Sequence, residues 1–141
     1  MAIEQFQQVR SDGHVIHETM DVTAIFALGE PRKIVELQWR GEAGPVAVSW
    51  PGGVLAKVLP NRENVVCIDL TEPKNARTLT VLNADGSVLR SMSISTGHYG
   101  WFEPARNSDP DVIGVVVDRG DLEVREVNVI SGEIIGSYPT R

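Results

Sequence analysis

Apolar and polar residues alternate along most of this chain with a period of two, and no stretch of about a dozen residues holds a 3.6-residue apolar stripe. Successive side chains of a strand point to opposite faces, so this alternation predicts β-sheets that bury one face. The C-terminal part is the most legible. Asp111 to Val117 is an apolar, β-branched run, and Asp118-Arg119-Gly120-Asp121 is a cluster of turn formers. Leu122, Val124 and Glu126 then alternate with Glu123, Arg125 and Val127, Ser131-Gly132 turns the chain, and Glu133 to Tyr138 returns. Three β-prone runs joined by two tight turns predict a β-meander.

The preceding segment has the same form. Asn64 to Leu70 is a strand candidate, and Pro73 breaks any ladder in the loop 71–75. Arg77 to Leu82 alternates, Asn83-Ala84-Asp85-Gly86 is a hairpin turn, and Ser87 to Ile94 returns. Aligning Gly86 with Gly132 places Val88 on Ile134, Leu89 on Ile135 and Ser91 on Ser137, a spacing of about 46 residues. The unit resembles a β-propeller blade. About three such units fit in the chain, whereas a closed propeller needs at least about four, so the similarity is read as the shared physics of meanders.

The N-terminal half begins with a hairpin of Phe6–Arg10 and Val15-Ile16 around Ser11-Asp12-Gly13. Asp21 to Leu28 admits two readings. Asp21 caps a short helix ended by Gly29, with Pro31 beyond, or Val22, Ala24, Phe26 and Leu28 alternate as a strand. Lys33–Trp39, Pro45–Trp50 and Val54–Val58 are further strand candidates, the last two separated by a turn at Pro51-Gly52-Gly53. About ten short strands at regular spacing predict an all-β fold. The expected form is one domain over residues 1–141, an antiparallel meander built as a sandwich, curled sheet or partial barrel, with one short helix near 21–29 as the alternative local reading.

At 141 residues the chain is long enough to bury one continuous core without staples. Cys67 is its only cysteine, set in Val65-Val66-Cys67-Ile68, where a thiol packs as a small, inert hydrophobe. The N-terminus shows no basic cluster followed by an apolar stretch, and no run approaches the ~18 apolar residues of a membrane helix. The cytoplasm is the expected compartment. The net charge of −6 argues against binding a nucleic-acid backbone. Residues 101–141 hold 8 acidic side chains against 4 basic ones, so an acidic C-terminal face able to steer a basic partner is expected.

Candidate chemistry is sparse. His14 and His17 lie beside Asp12, Glu18 and Asp21, but on a strand they point to opposite faces and His98 is remote. No metal site is expected. Asn83-Ala84-Asp85-Gly86 has the centre of a calcium loop, yet Val81 and Met92 fill its first and last ligand positions. Arg119-Gly120-Asp121 matches a short adhesion motif and is explained by a turn. Pro51-Gly52-Gly53 lacks the pattern of a phosphate loop, and there is no G-x-S-x-G elbow. No catalytic residue and no cofactor is assigned, and an enzyme using His98 with a nearby carboxylate is the lesser reading.

The segment Thr96 to Pro104 concentrates aromatics, with Tyr99, Trp101 and Phe102, and its glycines and proline predict an irregular loop. Such residues either cap a core or anchor an interface, whereas Trp39 and Trp50 fall on strands and are assigned to the core. The candidate binding residues are Tyr99, Trp101 and Phe102 with Asp109, Asp111 and Asp121. The expected function is a non-catalytic protein-binding module with a basic protein partner, in the manner of an inhibitor or immunity protein for a toxin. The alternatives are a small-molecule binder with a cavity inside a barrel or sandwich, and a structural subunit that assembles with its own copies through sheet edges.

Overall fold

The computed structural model describes residues 2–140. Seven strands form the first sheet: β1 (Glu4–Arg10), β2 (Val15–His17), β3 (Ile34–Gly41), β4 (Gly44–Val58), β5 (Asn64–Asp69), β6 (Leu79–Asn83) and β7 (Val88–Met92). Their order is β2-β1-β3-β4-β5-β6-β7. The second sheet holds β8 (His98–Glu103), β9 (Val112–Asp118), β10 (Leu122–Asn128) and β11 (Ile134–Pro139), in the order β11-β10-β9-β8. Every pairing is antiparallel, and neither sheet closes into a barrel.

Of the two readings for residues 21–28, the helix prevails, as α1 (Val22–Phe26). Asp21 accepts a hydrogen bond from the Ala24 amide at 2.8 Å, and Gly29 follows at φ 88°. Alternation would have made a strand here only if a sheet face were available to bury it. None is, and Phe26 stays 73% exposed. A second difference lies at Pro51-Gly52-Gly53, where a turn was expected. The chain runs through it as one 15-residue strand. Gly53 sits at φ 99°, and a Cβ on Gly52 would fall 2.0 Å from the Thr71 hydroxyl, so these glycines bend β4 against a neighbour instead of reversing it. The first half of β4 pairs with β3 and its second half with β5.

That bend curls the sheet. Ile3, Phe6, Leu37 and Trp39 from one arm meet Val54, Val65, Cys67 and Leu82 from the other in a single buried cluster on the concave side. The Trp39 indole donates to the Ala84 carbonyl at 2.7 Å across the opening, and the Arg62 guanidinium donates to the Ile3 carbonyl. On the opposite face of β5 and β6, Val66, Ile68, Leu79 and Val81 pack against Ile113, Val115, Val117, Val127 and Val129 of the second sheet. Strand β5 is therefore covered on both faces, which explains why Val65-Val66-Cys67-Ile68 is continuously apolar instead of alternating. Burial pushes the Cys67 thiol well above its ordinary value, with Asp69 adding to the effect.

Candidate interaction surface

The second sheet has an inner and an outer face. Ile113, Val115 and Val117 point inward. Their alternates Val112, Gly114 and Val116 face outward, opposite Asn128, Glu126 and Val124 of β10. The register continues to Gly136 and Tyr138 of β11, which lie beside Glu126 and Val124. No further sheet covers this side, yet Val112 and Val116 are buried. The segment between β8 and β9 folds back over it. The Glu126 carboxylate is buried and accepts the backbone N–H groups of Arg106, at 2.5 Å, and Asn107, at 3.4 Å. A buried carboxylate needs such donors, and here they fix the loop on the sheet. The Arg106 guanidinium stacks 3.5 Å from the centre of the Tyr138 ring, a cation–π contact.

The structure separates the aromatics expected from the sequence. The segment Thr96 to Pro104 is largely a strand, β8, because its edge finds β9 to pair with. A bulge between Tyr99 and Phe102 interrupts the register. Tyr99 is buried between the sheets, where burial raises the pKa of its hydroxyl and Arg125 opposes the shift. Phe102 packs against the same inter-sheet core. The bulge leaves Trp101 outside that core, 44% exposed, with its indole N–H donated to Glu103 at 2.9 Å.

The three candidate aspartates do not share one patch. Asp109 and Asp111 precede β9. The Asp109 carboxylate accepts the Asp111 amide at 2.9 Å, and Asp111 accepts from Asn61, tying the two sheets together. Asp121 lies in the turn after β9, so the strand separates it from the other two by roughly 20 Å. Two surface residues escaped the sequence reading, Arg106 and Tyr138. The only sequence trace of them is the outward phase of Tyr138 on its strand. Trp101 and the Arg106–Tyr138 pair stand near opposite edges of the same sheet, about 14 Å apart by strand spacing. At the β11 edge, Ile134 and Ile135 are exposed and the strand carries no charged side chain.

Among the described residues, no group of three His, Cys, Asp or Glu side chains is placed to hold a metal ion, and no helix is long and apolar enough to cross a membrane. His98 Nε2 lies 3.9 Å from Asp118, too far for a hydrogen bond. The concave side of the first sheet is filled by Phe6, Leu37 and Trp39. The larger cavities, of about 420 to 490 Å³, are surface grooves.

No protein-family model matches the chain, and no curated protein matches it. A solved structure, that of Tne2 in complex with Tni2, contains a chain to which this one is similar throughout. The TM-score is 0.84 and the identity 27%, over 99% of each chain. The match spans both sheets, so the whole architecture recurs in a chain of that complex.

Proposed function

We propose that this chain is a non-catalytic protein-binding module of the inhibitor or immunity type, holding its partner on the outer face of the second sheet. The observation that carries the reading is the full-length likeness to a chain of the Tne2–Tni2 complex. The surface chemistry supports it. Trp101, Arg106 and Tyr138 are of the residue types most often used as interface anchors, and they stand on the side of the second sheet that no other described sheet covers. The net charge of −6 favours a basic partner, with Asp109 before β9 and Asp121 after it marking the two ends of the sheet. The reading places the protein in the cytoplasm, where its one thiol stays reduced.

The test is capture of a partner from lysate of the native source, with wild type and Trp101→Ala side by side. A stoichiometric protein held by wild type and lost from the variant, with unchanged far-UV circular dichroism, is the expected result. The loss corresponds to at least about tenfold in affinity, the effect of removing a central aromatic anchor. Equal capture by both forms removes Trp101 from the interface, and no partner for either refutes the function.

A further inference from the structure

A second surface feature is independent of the partner reading. The link between β7 and β8 is pressed against the turn between β9 and β10. Gly97 sits at φ 85°, and a Cβ there would fall 2.2 Å from the Asp118 carbonyl and 2.3 Å from Arg119 Cγ. Only glycine permits this approach. Between the two segments lies an open surface cavity of about 220 Å³, lined by Ser93, Ile94, Ser95, Thr96, Arg119 and Arg125. Among the described residues, no carboxylate lines it.

Arg125 is the informative side chain. It is only 14% exposed, and its one hydrogen bond within the described residues is a long one, 3.3 Å to Glu123. A guanidinium carries five N–H donors, so most of its capacity is left without a protein acceptor. Arg119 donates to the same Glu123 oxygen at 2.5 Å. Two guanidinium groups thus share one carboxylate oxygen. The hydroxyls of Ser93, Ser95 and Thr96 make no side-chain hydrogen bond within the described residues and supply neutral donors from the opposite wall.

We propose that this cavity binds a phosphate group. Planar guanidinium forks match the oxygens of carboxylates and phosphates alike. A carboxylate offers two oxygens in one plane, whereas a tetrahedral phosphate presents oxygens to the arginine wall and the hydroxyl wall together. The group comes either as free phosphate or as a phosphomonoester on a larger molecule.

The experiment is a titration of the folded protein followed by ¹H–¹⁵N correlation spectra, with inorganic phosphate and with O-phosphoserine, at constant ionic strength set with chloride. Saturable shifts centred on Ser95, Thr96, Arg119 and Arg125 are expected. Arg125→Gln should weaken binding by about tenfold or more, as loss of a charge-assisted contact does. Glu123→Gln should tighten it severalfold, because it removes the carboxylate that competes for both arginines. Should Arg125→Gln fail to fold, the exposed pair Ser95→Ala and Thr96→Val serves in its place, with weaker binding expected. Similar affinity for the two ligands assigns the site to the phosphate group itself, and tighter binding of phosphoserine assigns it to a phosphate carried on a larger molecule. The proposal is overturned by no saturable shift with either ligand up to about 50 mM, beyond the millimolar affinity class. It is equally overturned by an unchanged titration in the folded Arg125 variant.

Discussion

Trp39→Phe tests how the first sheet is held in its curl. The Trp39 ring is 3% exposed and packs in the concave cluster, 6.1 Å from the Phe6 ring. Its N–H donates at 2.7 Å to the Ala84 carbonyl, in the turn between β6 and β7, linking two regions 45 residues apart. Phenylalanine keeps an aromatic ring but loses the donor and part of the volume. A residual cavity of roughly 35–40 Å³ costs about 0.9 kcal/mol. The Ala84 carbonyl is partly buried and crowded, since a Cβ on Gly41 would lie 3.1 Å from its oxygen, so water replaces the indole poorly. A carbonyl left unpaired in such a place costs about 1–2 kcal/mol. The sum is a loss of about 2–3 kcal/mol, a large share of a typical domain's stability. Urea denaturation followed by far-UV circular dichroism measures it without relying on the fluorescence that the substitution changes. With a slope of about 2 kcal/mol per molar, the midpoint should fall by about 1–1.5 M. Trp101→Phe is the control and should shift stability by no more than about 0.5 kcal/mol. A loss below about 1 kcal/mol for Trp39→Phe would refute the claim that this hydrogen bond holds the curl.

Glu18 and Arg62 are hydrogen-bonded across the opening of the first sheet, and that bond holds the Glu18 carboxyl below its ordinary value, against a smaller opposing effect of burial. A depressed carboxylate stabilises the fold above the unfolded value of 4.5 and loses that contribution as pH falls through the folded value. Glu18→Gln should therefore lower stability by about 0.5–1 kcal/mol at neutral pH, as a partly exposed pair does, and the two proteins should converge near pH 3 in urea denaturation. A difference that persists unchanged at acidic pH would count against the ion pair. Cys67, with its thiol raised by burial, should resist iodoacetamide at pH 8 in the folded protein and react only as the protein opens. Rapid labelling in native buffer would contradict its place between the two layers.

Much of the fold was legible because hydrophobic period and turn chemistry are local properties. The runs that became β9, β10 and β11 carry their apolar or alternating pattern and their Arg-Gly-Asp and Ser-Gly turns in consecutive residues. The continuous apolar runs of β5 and β9 were legible as strands, but nothing in them said that both faces would be covered, or by what. Pro51-Gly52-Gly53 misled for a related reason. Glycines permit a reversal and a bend equally, and the presence of Thr71 against Gly52 decided for the bend.

The candidate surface divides along the same line. Trp101, Tyr99 and Phe102 were conspicuous as an aromatic cluster, but their fates depend on which side of the bulge in β8 each one falls, and that is set by pairing with β9. Asp109, Asp111 and Asp121 are close in sequence and far apart in space because a strand runs between them. Arg106 and Tyr138 are 32 positions apart and meet only because the buried Glu126 draws the connecting loop over the sheet. Local pattern alone determined that this chain makes antiparallel sheets. The tertiary structure decided how the first sheet curls, which aromatics it hides and which side chains share a surface, because those outcomes rest on contacts between residues that the chain itself keeps far apart.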